Sequence, residues 1–244
     1  MIILINLGVI YRYMVGDIAH VFNRGVDKRK VFLDEKDYLR FIMNLGHLNN
    51  KSGKLKPKRV GFNDILDQSV LDKREKLVEI FKWSLLPNHY HLLLYEKVDG
   101  GILEFTKRIG NAYTKYFNIK NNKRSGYLFQ NSAKIVPIEN NSQFLYIPIY
   151  IDLNSVDMFL PHWKENGLSN IKEAKTFMKN YNWSSFRTYF GDKKFDEIVN
   201  RDLFYETFGI SPDSYEKDIV EFLSEPIVNL PGRPARLTVE IIGK

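Results

Sequence analysis

Two histidines with the spacing of a metal site stand in the segment His89-Tyr90-His91. Residues i and i+2 of a β-strand point to the same face of a sheet, so the two imidazoles would stand side by side. The chain has no cysteine, so a further ligand must be an oxygen or another histidine. Mixed nitrogen and oxygen ligation suits Mg²⁺, Mn²⁺ or Zn²⁺. Two structural histidines held by hydrogen bonds are the alternative interpretation.

A tyrosine and an asparagine, Tyr150 and Asn154, lie four residues apart in a second polar group. If this segment is helical, both side chains share one face. A phenol can attack a phosphodiester, although its usual pKa near 10 means that it needs a nearby cation or base. The amide oxygen of the asparagine could bind a metal. The alternative interpretation of Tyr150 is a tyrosine that only packs. Tyr113 and Tyr116 are competing candidates for the nucleophile, because their predicted helix also carries positive charge.

Basic residues interleaved with aromatic ones are concentrated between Phe105 and Arg124, a span with six basic residues and no acidic one. This composition is typical of a groove for single-stranded nucleic acid, and the alternative is a solvated helix face. A loop over 51–59 could add phosphate contacts. The residues predicted to contact nucleic acid are Arg24, Lys107, Arg108, Lys115, Lys120, Lys123 and Arg124.

The elements that would position these residues follow from the apolar periodicity. We expect a strand over 17–25, a helix over 34–48 capped by Asp34, a short helix over 70–80, a hairpin of strands 81–86 and 90–95, a helix over 102–119 and a strand over 133–138. The main order of strand, helix, hairpin, helix and strand is typical of a split βαβ sheet. The sequence therefore predicts an α+β fold with antiparallel strands and helices mainly on one face.

Composition limits the class of protein further. The 244 residues are 44% apolar and 27% charged, which excludes a disordered chain. A net charge of +7 favours an anionic partner, and no apolar run has the length of a membrane span. We expect an N-terminal extension over 1–16, a main domain over 17–160 and a mostly helical extension with a flexible tail over 161–244. The first residues are either a buried edge strand or sequence upstream of a true start at Met14, which we favour.

Together these motifs resemble the single-tyrosine HUH transposases and, among them, the REP-associated tyrosine transposases. The similarity extends over about residues 17 to 190. The segments that carry it are His-Val-Phe-Asn-Arg-Gly at 20–25, His-Tyr-His at 89–91, Gly-Tyr-Leu-Phe-Gln at 126–130, Tyr-Ile-Asp-Leu-Asn at 150–154 and Trp-Ser-Ser-Phe-Arg at 183–187.

The resemblance implies a four- or five-stranded antiparallel sheet of ferredoxin-like order. It also implies that His89, His91 and Asn154 bind Mg²⁺ or Mn²⁺ and that Tyr150 is the nucleophile. Such a protein cleaves and rejoins single-stranded, hairpin-associated DNA through a 5′-phosphotyrosine. It would work as a monomer or homodimer at the nucleoid, in the cytoplasm of a bacterium or archaeon.

Two residues depart from the pattern of that family. Ser155 replaces a proline, which we expect to be harmless. Pro148 stands two residues before Tyr150, where a proline inside a helix removes a hydrogen bond and clashes with the preceding turn. Either the helix begins near Pro148 or it is kinked there. An inactive protein that only binds hairpin DNA or RNA is therefore the alternative function.

Overall fold

The computed structural model describes residues 14–52, 75–161, 163, 168 and 170–224, together with the backbone of two short strands before them. These strands, β1 (Ile3–Ile5) and β2 (Gly8–Ile10), pair with each other in an antiparallel sheet of their own. Most of the basic segment 51–59 and all of the predicted tail lie outside the described residues.

The main sheet has four strands: β3 (Ile18–Arg24), β4 (Val78–Leu86), β5 (His89–Glu96) and β6 (Lys134–Pro137). Their order across the sheet is β4-β5-β3-β6, so each helical connection passes over one strand. The sheet is antiparallel, and the predicted α+β fold with split βαβ order is confirmed. Since β4 begins at Val78, the predicted short helix over 70–80 is wrong for its described part.

Carboxylate side chains satisfy backbone amides in the first turn of two helices. The carboxylate of Asp34 accepts a hydrogen bond from the Asp37 backbone and caps α1, as predicted. At the next helix, Glu96 accepts the backbone N–H groups of Gly101 and Ile102. The helices are α1 (Glu35–His47), α2 (Gly101–Lys120), α3 (Asn141–Leu153), α4 (Val156–Phe159), α5 (Ile171–Asn180), α6 (Arg201–Phe208) and α7 (Pro212–Ser224).

Helix α3 differs from the sequence prediction at its start. Asn140 caps it by accepting a hydrogen bond from the Gln143 backbone, and the helix then continues through Pro148 to Leu153. A start near Pro148 is therefore wrong. Because proline has no amide hydrogen, the carbonyl of Phe144, one turn earlier, receives no hydrogen bond from this position. Within the described ranges, no helix is long and apolar enough to cross a bilayer.

Strand β4 lies at the edge of the sheet, and its free side is covered by the segment 181–189. A 3₁₀ helix, Ser185–Phe190, begins within this segment. An isolated β-bridge pairs Ser84 with Ser184. The other hydrogen bonds run from the Leu85 amide to the Trp183 carbonyl, from the Tyr181 hydroxyl to the Leu85 carbonyl, from the Trp83 amide to Ser185 Oγ and from the Tyr189 hydroxyl to the Phe81 carbonyl.

The described residues group into two compact units, and β4 and β5 contribute to both. The first unit takes the residues up to Ile80, Pro87–His89 and Leu94–Pro137. The second takes Phe81–Leu86, Tyr90–Leu93 and the residues from Ile138 onward. The three domains predicted from the sequence stay a prediction.

Candidate active site

The two histidines occupy the first and third positions of β5. The strand spacing therefore puts both side chains on one face, as the sequence predicts. His91 is 1% exposed, whereas His89 is only partly buried at the beginning of the strand. A buried imidazole needs hydrogen bonds or a metal to compensate for the water that it has lost.

A hydrogen-bonded chain in the first unit fixes the orientation of His89. Its Nδ1 lies 2.6 Å from the amide oxygen of Asn88, and the amide nitrogen of Asn88 donates to the Lys28 carbonyl at 3.2 Å. Because the Asn88 oxygen can only accept, Nδ1 of His89 carries the hydrogen and Nε2 carries the lone pair. This is the tautomer that a metal-binding histidine adopts when a carbonyl oxygen supports its other nitrogen.

Tyr150, on α3, meets His91 inside the second unit. The centroids of the two rings are 5.8 Å apart and their planes are at 87°, an edge-to-face contact. The ring of Tyr146, one turn earlier, stacks on that of Tyr150 at 5.4 Å between centroids. Tyr150 is only 2% exposed, so the phenol is covered and does not line an open surface.

Asn154 follows the last residue of α3 and is fully buried. Its amide nitrogen donates to the Tyr150 carbonyl at 2.9 Å, which places the two residues at the predicted helical spacing. Since the nitrogen is used in this way, the amide oxygen is the atom with the character of a metal ligand.

The donor chemistry of His89, His91 and Asn154 fits a divalent ion. The observation that supports this fit is the 2.6 Å contact between Nδ1 of His89 and the Asn88 amide oxygen. Within the part of the chain that the structure describes, no three histidine, aspartate or glutamate side chains form a metal-sized group. A set of two imidazoles and one amide oxygen suits Mn²⁺ better than Mg²⁺, which prefers oxygen ligands.

The two competing tyrosines, Tyr113 and Tyr116, have structural roles in the first unit. The hydroxyl of Tyr113 donates to the Val31 carbonyl at 2.6 Å, and burial raises its pKa far above the usual value. The hydroxyl of Tyr116 donates to Asp37 at 3.0 Å. Burial and this hydrogen bond raise the pKa of Tyr116 to about 12. Both phenols are therefore harder to ionise than an ordinary tyrosine.

The predicted nucleic-acid contacts divide into two groups. Three of these side chains bind other parts of the first unit. The Lys120 amine lies 2.6 Å from Asp37 and 2.7 Å from Asp34. The guanidinium of Arg108 pairs with Glu104 and donates to the Asn50 carbonyl, and that of Arg124 binds Asn118 and the Tyr127 carbonyl. In the other group, Lys107, Lys115 and Lys123 are exposed and Arg24 is partly buried.

A buried ion pair beside Tyr150 was missed by the sequence analysis. Lys82 on β4 is fully buried, and its amine lies 2.9 Å from Asp152 on α3. The Tyr215 hydroxyl donates to the same carboxylate oxygen at 2.6 Å, and the amine lies 3.1 Å from the centre of the Tyr189 ring. Burial lowers the pKa of Lys82 to about 8, although Asp152 acts in the opposite direction.

A sequence signal for this pair does exist. Lys82 is the one charged residue in the run Ile80 to Leu86, and Asp152 is the one charged residue between Phe144 and Val156. Opposite single charges in two apolar runs could have indicated a buried pair, since a charge in the core is rarely left without a partner.

Comparison with known proteins finds similarity to solved structures only. The chain matches no family profile and no curated protein. Among solved structures it is similar to a REP-associated tyrosine transposase bound to a REP hairpin, with a TM-score of 0.40 and 15% identity. The alignment covers 72% of this chain and 80% of the other. The similarity is distant in both measures.

Proposed function

We propose that this protein is a metal-dependent endonuclease and strand transferase for single-stranded, hairpin-associated DNA, with Tyr150 as the nucleophile. The observation that carries the proposal is the edge contact between the rings of Tyr150 and His91, with centroids 5.8 Å apart. A phenol beside a His-x-His strand combines a group that can attack phosphorus with groups that can hold a cation.

In the proposed reaction the Tyr150 hydroxyl oxygen forms a bond to the phosphorus of the DNA backbone. The bond between phosphorus and the 3′ oxygen breaks, the phenol loses its proton, and the departing oxygen gains one. The products are a 5′-phosphotyrosine ester and a free 3′ hydroxyl. Because the ester keeps the energy of the broken bond, a 3′ hydroxyl can attack it in the reverse direction without ATP.

His89, His91 and Asn154 would hold Mn²⁺ or Mg²⁺, which would polarise the scissile phosphate. The hydrogen bonds from His89 Nδ1 to Asn88 and from Asn88 to the Lys28 carbonyl would hold the orientation of the His89 ring. The exposed lysines of α2 and of the loop after it would contact DNA phosphates. A DNA substrate of this kind would place the protein at the nucleoid, in the cytoplasm.

Two observations favour a second candidate function, binding of hairpin DNA or RNA without cleavage. Tyr150 is 2% exposed, and Pro148 lies inside the helix that carries it. Cleavage therefore requires DNA binding to uncover the hydroxyl. In a protein that only binds, the hydroxyl would stay covered.

A covalent-adduct assay tests the proposal, with a second tyrosine on the same helix as a matched control. We expect the wild-type protein with Mn²⁺ to form a denaturation-resistant adduct with a labelled pool of hairpins that carry randomised single-stranded flanks. Tyr150→Phe should form none, because phenylalanine lacks the attacking oxygen. Tyr146→Phe should still form it, since its ring stacks on Tyr150 with or without a hydroxyl.

The adduct should also disappear in EDTA. If Tyr150→Phe forms the adduct, another residue is the nucleophile. If the wild-type protein binds the hairpins and forms no adduct under any metal condition, the second candidate function is correct.

A further inference from the structure

The loop after α2 presents one aromatic ring to solvent. Tyr127 is 86% exposed, whereas the next two residues, Leu128 and Phe129, are 0% and 6% exposed. The chain therefore enters the core directly after this ring. An aromatic ring that is exposed from an anchored backbone provides a flat apolar face, and a nucleic acid base can stack on such a face.

Three side-chain hydrogen bonds hold the loop against the last turns of α2. The guanidinium of Arg124 donates to the Tyr127 carbonyl and to the amide oxygen of Asn118, both at 2.8 Å. The amide nitrogen of Asn118 donates to the Gly126 carbonyl at 3.1 Å. The backbone at Tyr127 is thus ordered before a ligand arrives, which reduces the entropy cost of binding.

Contacts of the following residues connect the loop to the end of β3. The Leu128 carbonyl accepts the Val26 amide, and Phe129 forms a bridge with Gly25. The backbone amide of Gln130 donates to the carbonyl of Arg24 at 2.9 Å. One of the basic residues predicted to contact nucleic acid is therefore anchored next to the loop.

The charge around the ring has one sign along the chain. From Phe105 to Ile138 the sequence contains seven basic residues and no acidic one. Lys123, four residues before Tyr127, is exposed. A ligand that combines flat apolar rings with a regular series of negative charges matches this segment, and single-stranded DNA has both features.

We infer that Tyr127 is a stacking platform for one unpaired base of single-stranded DNA, and that Arg124 positions this platform and does not contact a phosphate. The choice of DNA rests on the proposed function. The inference goes beyond that function because it names the residue that binds the base. It also gives Arg124 a different role from the other basic residues of the set.

Binding measurements with three variants of Tyr127 test the platform, in a Tyr150→Phe background so that no adduct forms. We expect Tyr127→Ala and Tyr127→Leu to weaken binding of a fluorescent single-stranded oligonucleotide by about 5- to 150-fold, the usual effect of losing one stacked base. Tyr127→Phe keeps the ring and should bind within about 2-fold of the parent. A blunt-ended duplex of two complementary strands, which has no unpaired bases, should bind all of these variants equally. Parent-like binding by Tyr127→Leu would overturn the platform.

The salt dependence of binding separates positioning from phosphate contact. A side chain that contacts a phosphate of single-stranded DNA contributes about 0.7 to the slope of log K against log salt. We expect Arg124→Gln to weaken binding without changing this slope, and to have no further effect when combined with Tyr127→Ala.

Lys123→Gln is the matched control. It should reduce the slope by about 0.7 and should weaken binding equally in both backgrounds. A lower slope for Arg124→Gln, or an effect that adds to that of Tyr127→Ala, would show that Arg124 contacts a phosphate.

The outcomes distinguish this inference from the proposed function. Adduct formation by the wild-type protein, with parent-like binding by Tyr127→Leu, would reject the platform and keep the nuclease. Weaker binding by Tyr127→Leu, with no adduct from the wild-type protein, would keep the platform and reject the nuclease.

Discussion

Lys82 and Asp152 place two opposite charges in the interior of the second unit, where neither side chain is exposed. Removing two ions from water costs several kcal/mol, and their attraction only partly offsets this cost. Such a pair stabilises a fold little compared with two apolar residues, but it restricts which surfaces can pack together. Because Asp152 lies on α3 and Lys82 on β4, the pair fixes the face of this helix that packs against β4.

We predict that Lys82→Met lowers the free energy of unfolding by about 3–5 kcal/mol, because it leaves Asp152 charged and buried without its partner. The double variant Lys82→Met/Asp152→Leu should recover most of this loss, since no charge then remains. Urea unfolding measures both. A double variant as unstable as the single one would mean that the loss comes from packing and not from charge.

His20 makes the stability of the protein depend on pH. Burial lowers its pKa to about 3, whereas an unfolded histidine has a pKa near 6.5. Between these values the unfolded chain binds a proton that the folded protein excludes. The contribution of His20 to the free energy of unfolding is therefore complete above pH 6.5 and decreases as the pH falls toward 3, by at most about 1.4 kcal/mol per pH unit.

We predict that His20→Leu removes this dependence. Urea unfolding at pH 7 and at pH 4.5 should show a larger acid loss for the wild-type protein than for the variant. Because both proteins contain the same carboxylates, comparing them cancels the contribution of these groups to the pH dependence of the free energy of unfolding. Parallel pH profiles would show that His20 binds its proton in the same pH range in the folded and the unfolded protein.

At the scale of elements, α3 carries a proline in its interior together with Tyr150, and Asn154 follows its last residue. We predict that Pro148→Ala raises the free energy of unfolding by about 1–3 kcal/mol, because alanine supplies an amide for the Phe144 carbonyl and removes a clash. Pro137→Ala, at the end of β6, is the control and should have a small effect because it lies outside a helix. Unchanged stability of Pro148→Ala would mean that the surrounding packing has already adapted to the proline.

Caps and turn residues in the sequence were sufficient to predict several helices and strands. The cap Asp34 preceded α1, and Pro87–Asn88 separated the two strands of the hairpin, so both were predicted near their observed bounds. The His-x-His spacing and the interval between Tyr150 and Asn154 likewise needed only the periodicity of a strand and a helix.

Other features depended on tertiary contacts and could not be predicted in this way. Val78–Ile80 belong to β4 because they pair within the sheet. The helical spacing of apolar residues in this segment does not reveal that pairing. Lys120 was predicted to contact nucleic acid, but its ion-pair partners, Asp34 and Asp37, lie more than 80 positions away in the sequence. Distant contacts of this kind also explain why the buried pair beside Tyr150 was missed.

For the whole molecule, a bound metal should raise the stability of the folded state. A ligand that binds only the folded protein adds about 2.7 kcal/mol at a concentration of 100 times its Kd. We predict that Mn²⁺ raises the Tm of the wild-type protein and that His89→Ala abolishes this shift, because His89 is a proposed ligand. His47→Ala, which changes a histidine in the last turn of α1, should keep the shift. Equal shifts for all three proteins would place the ion elsewhere.

The covering of β4 by the segment 181–189 also affects solubility. An edge strand with unpaired amides and carbonyls can recruit the same strand of another molecule, which is a common route to fibrils. All nine residues of β4 are buried, so this strand has no exposed charge to oppose such pairing. A shortened chain that ended before Tyr181 would leave amides and carbonyls of β4 unpaired, and the segment 181–189 therefore opposes self-association through this strand.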